Sequence, residues 1–192
     1  MYGGIKAAYS IPFNRQETIK YDDAQDNFIY QVRFVEQDFT PTFSLVGYYR
    51  QDLIYFQTEL AYRRTKTRFQ AIDYIDLDNI TMTEYVKTTH TLDIPIIAGL
   101  RIDRFKIGVG PVFSFILSEN AIFQEVEFFE ERRSNIESGF SFNVGVLLDR
   151  IQIDLSYKYQ FNGVGDYLFW RGDAKGFNDP VQYIDLGMGF FF

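Results

Sequence analysis

His90 is the only histidine among the 192 residues, so a histidine-activated nucleophile would have to be built around it. Such a hydrolase also needs a serine within reach of the ring and an acidic group to orient it. Ser10, Ser114 and Ser118 fall on the small, polar face of their segments, where no histidine neighbour is expected. Carboxylates gather in "YDDAQD", "AIDYIDLD" and "FQEVEFFEE", and could offer oxygen ligands to Ca²⁺. They show no fixed ligand spacing and read as solvated acidic segments. There is no cysteine, hence no disulfide, thiolate metal site or cysteine nucleophile. The expectation is a chain with no catalytic residues, no metal and no cofactor. The formal charge of −7 excludes a nucleic-acid partner, which requires clustered Lys and Arg.

The elements that carry these residues announce themselves by a period of two. Eight segments alternate apolar with small or polar residues. The bulky set includes Ile5, Tyr9 and Ile11; Phe43, Leu45 and Tyr49; Ile54, Phe56, Leu60 and Tyr62; and Leu92, Ile94, Ile96 and Leu100. It continues through Phe105, Ile107, Val109 and Phe113; Phe140, Phe142 and Leu148; Ile151, Ile153 and Leu155; and finally Ile184, Leu186, Met188, Phe190 and Phe192. The other face is glycine, serine, threonine and charge, broken by Val46, Ile97, Val112, Ile116, Leu147 and Phe191. Tight turns are expected at Gln51-Asp52, Ile102-Asp103 and Asp149-Arg150, because Asp is a turn former. The remaining connections, about residues 13–38, 67–88, 119–135 and 162–180, are long and acidic.

Short and long connections falling on opposite ends describe one domain over residues 1–192, an all-β, eight-stranded antiparallel up-and-down barrel. Its polarity follows from size. The interior of eight strands is just wide enough for side chains and cannot take some thirty bulky apolar ones. The apolar face therefore points outward to lipid, giving a transmembrane barrel with short periplasmic turns and long extracellular loops. A soluble lipocalin-like ligand-binding barrel is the rival. No run approaches the roughly 18 apolar residues of a spanning helix. "MYGGIKAAYS" is strand rather than leader, so an exported protein of this sequence would have lost its signal peptide.

Lys6, Glu59, Arg63, Asp93, Asp154, Lys158 and Asp185 then fall inside, at comparable heights. Opposite charges in a narrow lumen should pair into a structural plug, with a gated ion path as the alternative. The alternating end of the chain resembles the signal by which bacterial outer-membrane proteins are recognised for insertion, with Met188, Phe190 and Phe192 in that role. Pro95 and Pro111 each remove a ladder donor, which predicts a bulge or splayed pairing where they meet.

"TLDIPIIAGLRIDRFKIGVGPVFSFIL" resembles the central hairpin of the outer-membrane β-barrel family common in Bacteroidota, whose best-known member is the PorT protein of the type IX secretion system. The resemblance rests on Leu92-Asp93-Ile94-Pro95, where the family usually has Glu, and on Gly108-Val109-Gly110-Pro111. "YGGIKAAYS" resembles the first strand of these small PorT-like and OmpA-like barrels, and "FSFNVGVLLDRIQIDLSYKYQFNGVGD" the sixth and seventh. It implies a bacterial outer-membrane location and transfers no functional residue.

In "GDYLFWRGD" the aromatic and apolar Tyr167, Leu168, Phe169 and Trp170 suggest either a loop folded over the barrel mouth or a contact patch for a partner. "EVEFFEERR" has the same two readings. The RGD at Arg171 to Asp173 is a coincidence of composition. The expected partners are outer-membrane lipid and a protein in the outer membrane. The expected role is a non-enzymatic structural or accessory subunit of a secretion or assembly complex. A stand-alone surface, adhesion or envelope-stability barrel is the alternative.

Overall fold

The computed structural model describes residues 1–13, 18–22, 28–38, 40–74, 80–120, 129–132, 135–161, 165–170, 173–177 and 180–192. In chain order the strands are β1 (Tyr2–Pro12), β2 (Thr18–Asp22), β3 (Phe28–Gln37), β4 (Thr40–Gln51), β5 (Ile54–Asp73), β6 (Thr81–Ile102) and β7 (Phe105–Glu119). They continue with β8 (Phe129–Arg132), β9 (Ile136–Leu148), β10 (Ile151–Gln160), β11 (Gly165–Trp170), β12 (Asp173–Phe177) and β13 (Gln182–Phe191).

Among the described residues, eight of these strands pair antiparallel in the cyclic order β1, β4, β5, β6, β7, β9, β10, β13. The last pair, β13 with β1, joins Gly4 to Phe191 and Pro12 to Tyr183 and closes the ring. Closure leaves no free edge in the wall, so its backbone donors and acceptors meet each other.

The three tight turns hinge on Asp52, Asp103 and Asp149, each in the left-handed region with φ of 53 to 54°. Aspartate tolerates that conformation, which makes it the first turn residue. Two turns therefore sit one residue later than the sequence predicts, with Gln51 opposite Ile54 and Ile102 opposite Phe105, while Leu148 faces Ile151 as expected. The same offset puts Pro95 opposite Val112 rather than Gly110. The β6–β7 register is unchanged between Pro95–Val112 and Ala98–Val109, but pairing lapses between these points without a bulge. Gly110 belongs to this lapse: a Cβ there would lie 1.8 Å from the Ile96 carbonyl oxygen.

The long connections are not plain loops. β2 and β3 extend the sheet along the upper part of β5, where Tyr30 opposes Asp73 and Gln37 opposes Thr67, and β8, β11 and β12 form a small separate sheet. In β2 and β3 the apolar parity is reversed, with Ile19, Tyr21, Tyr30, Val32 and Phe34 buried rather than exposed. Along β5, the even residues Ile54, Phe56, Leu60 and Tyr62 are exposed while Gln57, Glu59 and Arg63 are buried. Beyond Arg63 the register runs on unbroken to Asp73, yet the buried parity becomes apolar at Phe69 and Ala71. Phe69 meets Phe34 edge to face at 5.9 Å, with Ile19, Tyr21, Tyr30 and Val32 buried nearby in the same extension. One strand thus passes from apolar-out to apolar-in. Lys175 of β12 ties the small sheet to this extension, donating to the Lys20 carbonyl at 2.6 Å and lying 5.1 Å from the Tyr21 ring centre.

Candidate functional site

Lys6, Glu59, Arg63, Asp93, Asp154, Lys158 and Asp185 all face the barrel interior, none more than 7% exposed. They form two linked groups. Near the middle of β1, the Lys6 ammonium lies 2.9 Å from Glu59 Oε1 and 3.0 Å from Asp154 Oδ1. Towards the long-loop end, Lys158 pairs with Asp185 at 2.7 Å and Arg63 with Asp93 at 3.3 Å. The Tyr183 ring separates the two cations of this second group, with the Arg63 guanidinium 4.4 Å and the Lys158 ammonium 5.4 Å from its centre. Backbone spacing makes room for the first group: a Cβ at Gly187 would lie 2.5 Å from Lys6 Cε and 2.8 Å from Asp154 Oδ1.

Lys106, Lys87 and Glu137 are also inside and were not singled out in the sequence. Lys106 donates to Gln57 Oε1 at 2.8 Å and stands 3.8 Å from Asp154 Oδ2, while Gln57 donates onward to Glu59 at 2.7 Å. Lys87 pairs with Glu119 at 3.1 Å. Lys106 was legible, since it lies between the outward Phe105 and Ile107. Lys87 was not, because residues 67–88 read as a loop. With these additions the buried charges among the described residues are Lys6, Arg63, Lys87, Lys106 and Lys158 against Glu59, Asp93, Glu137, Asp154 and Asp185, five of each sign. A balanced, paired set is what a water-poor interior tolerates. A cavity of about 30 Å³ lined by Arg63, Thr65, Lys87 and Glu137 has room for a water molecule or two and not for a stream of them.

Four of the six residues that broke the polar-inside rule have their own place. Val46, Ile97, Leu147 and Phe191 pack with Tyr48 and Tyr55 as an apolar cluster inside the short-turn end. Tyr48 stacks on Tyr55 at 5.6 Å and tilts against Phe191 at 5.5 Å.

The outer wall is apolar all round: Ile5, Leu45, Phe56, Ile107, Phe142, Ile153 and Leu186 are each between 41 and 61% exposed. Met188, Phe190 and Phe192 belong to it, on β13 and just past its end. A continuous surface of this kind fits acyl chains rather than water.

His90 lies on the outer side, where its Nδ1 and the Tyr62 hydroxyl are 2.6 Å apart. Ser118 corrects the sequence expectation. The β6–β7 register shifts between His90 and Thr91, so Ser118 opposes His90 and is exposed instead of facing inward. Ser10 and Ser114 are inside, as expected. Among the described residues no serine is hydrogen-bonded to His90 and no cluster of metal-ligating side chains occurs. The backbone of Tyr167, Leu168, Phe169 and Trp170 forms β11, paired with β8 and β12; their side chains lie outside the described part of the structure. So do Arg171 and most of the acidic segments, including residues 23–27, 75–79 and 121–128.

No protein family matches this chain, and no curated protein does. Among solved structures, Neisserial surface protein A (NspA) is 14% identical with a TM-score of 0.46, over 100% of this chain and 96% of that one. The outer membrane protease OmpT of Escherichia coli is 10% identical with a TM-score of 0.45, over 100% of this chain and 94% of that one. At such identities and scores, what is known of the chain rests on its own register and burial.

Proposed function

We propose that the chain is a small, non-enzymatic barrel of the bacterial outer membrane that serves as a structural or accessory subunit of an outer-membrane complex. The observation that carries this reading is the sidedness of the wall. Leu45, Ile153 and Leu186 are exposed, while Lys6, Asp93, Asp154 and Lys158 are buried and neutralised inside. A soluble ligand-binding barrel of lipocalin type needs the reverse arrangement and an empty interior. The paired charges and the apolar cluster at Tyr48 and Tyr55 argue for a plug rather than an ion path. The PorT-like resemblance of the Leu92-Asp93-Ile94-Pro95 hairpin favours a complex devoted to secretion or assembly. Its partner would meet the long-loop end or the lipid-facing wall. For Met188, Phe190 and Phe192 the reading assigns recognition by the insertion machinery.

The experiment is purification from native membranes in mild detergent, followed by mass spectrometry of the companions. Stoichiometric co-purifying proteins are the expected result. Recovery of the barrel alone would favour the second reading, a stand-alone surface or envelope-stability protein, which the extended β2–β3–β5–β6 sheet beyond the apolar wall also suits.

A further inference from the structure

Three adjacent strands change character at one height on the outer wall. The last row that is apolar on all three strands runs Tyr62, Leu92, Phe115 across β5, β6 and β7, with Leu117 and Val86 as single exposed apolar residues beyond it. Two residues further from the short turns, the facing row is Arg64, His90, Ser118. The row above it is Lys66, Thr88, Asn120, where Asn120 bonds the Thr88 backbone through both its amide N–H and its side-chain oxygen. None of these six residues is acidic. Arg64 and Lys66 are exposed, and among the described residues neither side chain has a hydrogen bond or ion pair. The flanking carboxylates Glu36 and Asp38 lie with Arg68, at 2.9 and 3.8 Å. Tyr62 occupies Nδ1 of His90 and so directs the other ring nitrogen away from Tyr62.

We infer that Arg64 and Lys66, with His90 and Ser118 beside them, form a binding site for the phosphate of an anionic lipid headgroup in the leaflet at the long-loop end. The inference rests on the membrane reading above and adds a place and a ligand to it. Residues two apart on a strand are about 7 Å apart and neighbouring strands about 4.8 Å, so the donors surround a patch the size of a phosphate ester. The patch begins where the apolar wall stops, which is the depth at which a lipid's phosphate sits when its acyl chains lie against Tyr62 and Leu92. The bulge that turns Ser118 outward supplies a hydroxyl that strict alternation would have buried.

The test uses the intact chain in phosphatidylcholine nanodiscs doped with phosphatidylglycerol, with retained lipid counted by native mass spectrometry. Wild type should retain phosphatidylglycerol selectively. A cation near a charged leaflet contributes a factor of roughly five, so Arg64→Gln with Lys66→Gln should weaken retention about 30-fold. Lys20→Gln, which removes a cation far from the wall, should stay within about twofold by the same reasoning. Equal retention by the double variant, properly folded by its heat-shifted gel band, overturns this inference alone. Displacement of the lipid by excess inorganic phosphate also overturns it, by making the site one for soluble anions. Failure of the wild type to enter the nanodisc overturns both this inference and the membrane reading.

Discussion

At the scale of single residues, Lys6 links two carboxylates, holding Glu59 and Asp154 at once. Lys6→Met should destabilise the barrel by about 3–5 kcal/mol, because it takes the nearest cation from two buried carboxylates. The measurement is the urea midpoint of the heat-modifiable form in detergent micelles; an unchanged midpoint would mean that water reaches the pair. Gly187→Leu should act on the same ion pair from β13, the strand between β1 and β10, since the space for its Cβ is filled by Lys6 and Asp154. All seven interior charges could be placed by parity alone, because a period of two leaves each residue only two faces. What parity could not supply was Ser118, where one extra residue in β7 reverses the assignment. Nor could it supply the partner of each charge, which depends on how far strands are staggered.

At the scale of elements, β5 records the edge of the apolar layer in its own sequence. Arginine substituted along its outward face should report that edge. Leu60→Arg should cost about 2–4 kcal/mol and a change at the height of Lys66 about 0–1 kcal/mol, read from unfolding titrations in lipid vesicles. A flat profile along Phe56, Leu60, Tyr62 and Lys66 would mean that no layer ends there. The barrel strands were legible because Ile, Phe and Leu recur on one parity over eight stretches. The tight turns were legible to within one residue, since Asp marks them but its left-handed φ decides which turn position it takes. β2 and β3 were hidden by two effects together: a dense carboxylate neighbourhood that reads as loop, and the switch of apolar parity beyond Arg63. The mid-strand prolines did disturb pairing, through a lapse rather than an inserted residue.

At the scale of the whole molecule, two independent features close the interior: the ion-paired middle and the apolar cluster of Val46, Tyr48, Tyr55, Ile97, Leu147 and Phe191 at the short-turn end. The purified protein in a planar bilayer should therefore give no stable open channel, and a steady conductance would refute the plug. The central claim is the direction in which the two faces of the wall look. The absence of native cysteine makes it directly measurable, because single cysteines can carry spin labels without background. Labels placed one by one from Ile151 to Leu155 in reconstituted vesicles should alternate. At Ile151, Ile153 and Leu155 molecular oxygen should relax the label and a water-soluble nickel complex should not, whereas at Gln152 and Asp154 both should be excluded. Nickel access at Ile153 and Leu155, or labels there as sheltered as at Asp154, would contradict the account.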